Sequence, residues 1–165
     1  RLQTFIVGAK VRNVGGGGQM MIGNFALDAN GLSPQLLGLS RKEIDHLLGE
    51  SPRTKRSGLP GEETFDYEAH HIRVVMQQDR AVEIAFVPPA CVLFQGQPLF
   101  EDSSVWRAIV AADGDARETL GFIVLRNLGV TLTGFHDGDD SQLAMTVFAA
   151  GRWDVLEDEM RPVAI

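Results

Sequence analysis

The sequence predicts an α+β fold of two α-β-β-β units, each with an antiparallel sheet and one short helix packed on it. Three observations predict it. A capped amphipathic helix at 40–48 precedes strands of alternating hydrophobicity, and a second helix over 103–112 precedes another set. One offset of 62 residues maps Ile44 to Trp106, Leu47 to Ile109, Leu48 to Val110, and Val82–Phe86 to Ala144–Phe148. This is the pattern of an internal duplication, with units at about 37–88 and 97–150 inside one domain spanning 20–153.

Each element has a local reason. Ser40 with Glu43 three residues later makes a capping box, and Gly49 and Pro52 end the helix. The stretch Ser51–Glu63, rich in Pro, Gly, Ser and charge, reads as an exposed loop. Strands are expected at Thr64–Glu68, at Ile72–Gln77 and, after a turn at Gln78-Asp79-Arg80, over Val82–Phe86, where Pro88-Pro89 stops the run. A short strand Cys91–Gln95 leads to the second helix, with Asp102 or Ser103 as its cap and Gly114 as its stop. Phe122–Asn127, Val130–His136 and Gln142–Ala149 complete the strands, with Asp137-Gly138 read as a tight hairpin. Residues 1–19, which include the run Gly15–Gly18, read as a flexible or foreign lead-in, and 154–165 as a loose acidic tail.

Composition narrows the function classes. The 165 residues suffice for one core without disulfides or metals. No apolar run approaches the roughly 20 residues of a membrane helix, so no membrane span is expected. The single cysteine, Cys91, suits a reducing compartment. A cytoplasmic location is therefore expected, with the periplasm left open because the sequence starts at Arg1 rather than at a methionine.

Charge is divided unequally. Residues 1–56 hold eight basic and four acidic side chains, and residues 57–165 hold seven and eighteen, within a formal net charge of −7. That balance argues against nucleic acid as a ligand and favours a basic protein partner, a toxin or an enzyme.

The residues Leu39-Ser40-Arg-Lys-Glu43-Ile44-Asp-His-Leu47-Leu48-Gly49-Glu-Ser-Pro52, followed by Tyr67 and the Ile72–Met76 strand, resemble a recurring helix-then-hairpin module. The module is similar to those of the β-lactamase inhibitory proteins, which carry two in tandem, and to that of the small lipoprotein of outer-membrane assembly. Toxin-immunity proteins of small α+β type share the look. The resemblance implies a binding scaffold and carries no functional residues over.

No set of residues amounts to a catalytic site. His70 and His71 are adjacent at a strand end and point to opposite faces, and His46 borders the helix stripe. His136, Asp137, Asp139 and Asp140 do not have calcium-loop spacing, and Gly15–Gly18 lacks the lysine and hydroxyl of a phosphate loop. An apolar environment would keep the Cys91 thiol protonated. No metal and no cofactor are expected.

The remaining candidates are partner contacts: Asp113, Asp115 and Glu118 after the second helix, Asp137, Asp139 and Asp140 at the tip, and Trp153 as an aromatic anchor. The leading expectation is an immunity or inhibitor protein acting by occlusion. Two alternatives stay open. One is an assembly module of a larger complex, with homodimerisation as its sign. The other is a small-molecule binder or enzyme with a site between the units.

Overall fold

The computed structural model describes residues 24–56 and 59–164 with the segments 11–12 and 21–22; for 11–12, 21–22 and 53–56 it describes backbone alone. The lead-in expected at 1–19 otherwise lies outside the described residues.

In chain order the strands and helices are β1 (Val11–Arg12), β2 (Met21–Ile22), β3 (Phe25–Asp28), β4 (Gly31–Ser33), α1 (Arg41–Leu48), β5 (Arg53–Arg56), β6 (Glu62–Tyr67), β7 (Ile72–Gln77) and β8 (Arg80–Phe86). There follow β9 (Val92–Phe94), β10 (Gln97–Pro98), α2 (Val105–Asp113), β11 (Arg117–Thr119), β12 (Phe122–Leu125), β13 (Val130–Thr133), β14 (Ala144–Phe148) and β15 (Arg161–Pro162). The fold is α+β. One antiparallel sheet of nine strands runs β15-β11-β12-β13-β14-β8-β7-β6-β5. A smaller sheet runs β10-β9-β3-β4, with β3 parallel to β9, and β1 pairs with β2.

Each helix is thus followed by an antiparallel meander of four strands, one more than the pattern predicts. The two meanders join where β8 pairs with β14. The offset of 62 holds in the helices, where Ile44 and Leu48 are buried like Trp106 and Val110. It does not extend to the last strands. There it maps the fully buried Ile84 onto Thr146, yet Ile84 pairs with Val147, and a strand shifted by one residue turns its side chains to the other face.

The core lies on one face of the large sheet. Phe65, Val74, Ile84, Val147, Val130 and Leu125 form one inward cross-strand row, and Tyr67, Ile72, Phe86, Met145, Leu132 and Ile123 form the next. These rows share a single cluster with both helix stripes and with the small sheet, and Phe25 meets Phe86 edge-on at 5.0 Å.

The capping box at α1 forms as the sequence requires. Ser40 Oγ accepts from the Glu43 N–H at 3.3 Å, Glu43 Oε2 accepts from the Ser40 N–H at 2.7 Å, and Gly49 closes the helix at φ 63°. At α2 the cap position is Ser104 rather than Asp102 or Ser103, and the Asp102 carboxylate accepts from both the N–H and the hydroxyl of Ser104.

Three further expectations are corrected. The stretch 51–63 is not all loop, because 53–56 is the edge strand β5. Asp137-Gly138 is not a two-residue hairpin. Residues 134–143 join β13 to β14 through a 3₁₀ turn, with Phe135 stacked on Phe100 at 5.9 Å. Gly134 (φ 79°) is needed there, since a Cβ would lie 2.6 Å from the Asp139 carbonyl oxygen. Finally, 154–162 is not a loose tail. It forms a 3₁₀ segment and then β15, which extends the large sheet beside β11.

Candidate functional site

The sheet's outer face, away from the core, is where the chemistry gathers. Because directly paired residues share a face, its cross-strand rows follow from the register. One row runs Arg117, Val124, Thr131, Thr146, Ala85, Arg73 and Asp66. The next, toward the end where β6 passes into β7, runs Thr119, Phe122, Thr133, Ala144, Val87 and His71.

The chain after β14 folds back as a strap over part of this face. Arg152 donates to Glu83 and to Glu62, each at 2.7 Å. Trp153 packs on Phe122 at 5.2 Å and on Phe148 at 6.3 Å. Arg126 donates to Glu157 at 2.9 Å, and β15 seats the end of the strap against β11. With this cover Val124, Thr131 and Phe148 are buried although they face away from the core.

Two depressions remain, one at the edge strand β11 and one on the outer face where β6, β7, β8 and β14 come together. One, of about 670 Å³, is lined by Glu118 and the Thr119–Gly121 turn, by His136, and by Asp158, Glu159 and Arg161 of the strap. The other, of about 610 Å³, has Ala85, Val87 and Ala144 in its floor and Asp66, His71 and Arg73 at its wall. At the first, Leu120 holds a left-handed backbone (φ 52°) and is 69% exposed, an apolar tip on a hairpin turn. At the second, Val87 is 42% exposed.

The structure brings some of the expected contact residues together and separates others. Glu118 is exposed in the acidic depression. Asp115 pairs with Arg117 at 2.9 Å beside it in sequence. The oxygens of Asp137 and Asp139 serve their own loop. Asp137 accepts from the Asp139 N–H, while Asp139 accepts from Ser141 and Gln142, and the Ser141 hydroxyl bond holds the Asp139 carboxyl below the usual range. Asp140 is exposed in the 3₁₀ turn.

Two expected contacts are corrected. Asp113 is buried, and its carboxylate accepts from the N–H groups of Leu128 (2.8 Å) and Asp115 (3.2 Å), which makes it a brace between α2 and the β12–β13 turn. Trp153 is half-buried on the chain's own aromatics and is no free anchor.

The histidines divide in the same way. His70 Nδ1 shares a hydrogen bond of 2.9 Å with Glu50, largely buried. His71 is exposed in the left-handed region, and His136 is exposed at the acidic depression. Burial pushes the Cys91 thiol upward, with a smaller push from Glu101. Among the described residues no three His, Cys, Asp or Glu side chains are spaced to hold a metal ion, and no helix is long and apolar enough to cross a membrane.

Sequence reasoning missed Leu120, Val87, Ala144 and Arg161. Only the Leu120-Gly121 pair carried a usable signal, that of an exposed apolar residue in a two-residue turn. Compared with known proteins, the chain matches no family model, no curated protein and no solved structure.

Proposed function

We propose that the chain is a non-catalytic protein-binding domain of the inhibitor or immunity type, which occludes a basic toxin or enzyme by direct contact. One observation carries the reading. Glu118 of β11, His136 after β13, and Asp158 and Glu159 of the strap come from three distant stretches of sequence and line one depression, with Arg161 as its guanidinium and Leu120 exposed at its rim. Carboxylates around an apolar tip suit an interface that draws a basic partner by charge and holds it by apolar contact.

The test is calorimetric titration with a basic toxin domain encoded beside the gene, at low and at high salt. Binding should weaken as salt rises, and Glu118→Lys combined with Asp158→Lys should slow association by about tenfold or more. Absence of binding at both salt concentrations, for the neighbouring toxin domains tried, removes the reading.

A further inference from the structure

Among the described residues the chain uses the same tight hairpin turn three times. Gln78-Asp79 joins β7 to β8, Gln95-Gly96 joins β9 to β10, and Leu120-Gly121 joins β11 to β12. In each, two residues link directly paired neighbours and both have positive φ: 51° and 56°, 51° and 77°, 52° and 82°. That backbone crowds the Cβ of an L-residue, and glycine, asparagine and aspartate bear it best. An exposed glutamine leads the first two turns. The third is led by a leucine that is 69% exposed.

The core makes no use of this side chain. Among the described residues Leu120 belongs neither to the core cluster nor to the partly buried residues packed against it. A Cβ added at Gly121 would meet no described atom within 4 Å, so the tip of the turn stands clear of the fold. Leu120 thus carries a left-handed backbone and wetted apolar surface together, with no core contact to offset either. Strain of this kind gathers where a residue serves contact rather than folding.

Building on the inhibitor reading above, we propose that Leu120 is the anchor of that interface, and that the partner receives it in an apolar pocket rimmed by lysine or arginine. The rim follows from the neighbours of the tip. Glu118, Asp158 and Glu159 line the same depression with the guanidinium of Arg161, so carboxylates outnumber cations around the leucine. The same charge repels an anionic membrane, the other surface that takes an apolar tip. A two-residue turn between paired strands presents the leucine already ordered, so little backbone freedom is lost when it is buried. The carboxylates then act on the rate of encounter and the leucine on the lifetime of the complex.

The test uses the full chain and the basic toxin domain encoded beside its gene, with binding rates from surface plasmon resonance and stability from thermal denaturation. Leu120→Asn should raise the thermal midpoint by about 2 °C. It should also speed dissociation by about tenfold or more, with the association rate changed by less than about twofold. Leu120→Met, which keeps the apolar reach, should restore most of the lost lifetime. Gln95→Asn, the matching change in a turn away from the depression, should leave both rates unaltered. A midpoint that does not rise in Leu120→Asn overturns the anchor, and so does dissociation that is unchanged by Leu120→Asn or equally hastened by Gln95→Asn. If association is still slowed by Glu118→Lys with Asp158→Lys in that event, the inhibitor reading stands without the anchor. Binding to phosphatidylcholine vesicles that is lost in Leu120→Asn overturns the protein pocket in favour of a membrane. No binding to the toxin domain at low or high salt removes the reading and the anchor together.

Discussion

Arg152 and Glu62 lie ninety positions apart in sequence and meet at 2.7 Å, with the Glu62 side chain 5% exposed. The same guanidinium donates from Nε to Glu83, so one cation serves carboxylates on β6 and β8 and fixes the root of the strap to the first meander. Removing it takes the guanidinium from a carboxylate that is 5% exposed, which is the costly way to break such a pair. Arg152→Ala should destabilise the fold by about 2–3 kcal/mol, less than a fully buried pair because Arg152 and Glu83 keep some solvent. Urea denaturation measures the loss. Adding Glu62→Gln to the variant should recover part of it, and equal losses with and without that second change would show that the charge pair is not what holds the strap.

Tyr67 is the sole tyrosine, so its titration can be followed without interference from another phenol. It is 1% exposed, and its hydroxyl donates to Asp45 Oδ1 at 2.6 Å, tying β6 to α1. Burial first, and then the bond to Asp45, raise the phenol above its ordinary value of 10.0. A raised folded value means that the neutral form is favoured by folding. The stabilisation is whole below 10.0 and is lost as the pH climbs beyond it. Tyr67→Phe should cost about 1 kcal/mol near neutrality and flatten the alkaline fall of the thermal midpoint. Near-ultraviolet absorbance of the unaltered protein should show tyrosinate only as the fold is lost. Tyrosinate appearing with the fold intact would contradict this placement.

What could be read from the sequence was local. The capping box at Ser40 and Glu43 and the left-handed Gly49 are set by chemistry within one turn of helix, and they form as expected. The alternation in Ile72–Gln77 and Val82–Phe86 reflects one buried and one wetter face, so those strands were visible too. The edges were not. In β11 only Thr119 is buried, and β5 is Arg-Thr-Lys-Arg, so both pair through backbone with little apolar pattern to announce them. The small sheet at Phe25–Ser33 also went unread, although Leu27 and Leu32 pair within it and are buried. The candidate site was least legible of all, because Glu118, His136 and Asp158 meet only through the register of β11–β13 and the return of the strap.

Asp113 shows how a formal charge misleads. Counted by sequence it belongs to the acidic surface, yet it is 4% exposed, with two backbone N–H groups on its carboxylate and Asn127 Nδ2 on its carbonyl at 2.8 Å. Asp113→Ala leaves the Leu128 and Asp115 N–H groups without that acceptor and should cost about 2 kcal/mol. Once the variant is folded, its affinity for a basic partner should match that of the unaltered chain. Glu118→Ala should do the reverse, lowering affinity with stability unchanged. Paired denaturation and binding measurements on the two variants separate bracing from contact, and a loss of affinity in folded Asp113→Ala would return the residue to the interface.

The strap makes the last prediction. Val124, Thr131 and Phe148 face away from the core and are nonetheless buried, so the segment after β14 is what shields them. Within it Trp153 packs its ring on Phe122 and Phe148, while Val155 is 87% exposed. Trp153→Ala should therefore cost about 2 kcal/mol, below the range for a wholly buried tryptophan because this one is half-exposed. Val155→Ala should leave stability within about 0.5 kcal/mol. Ending the chain after Ala149 removes Arg152 and Trp153 together and uncovers Phe122 and Phe148, so the shortened protein should bind a hydrophobic dye that the full chain does not. The dye and the denaturation midpoint are read on the same samples. A shortened chain with the original midpoint and no dye binding would mean that the outer face does not depend on the strap for its cover.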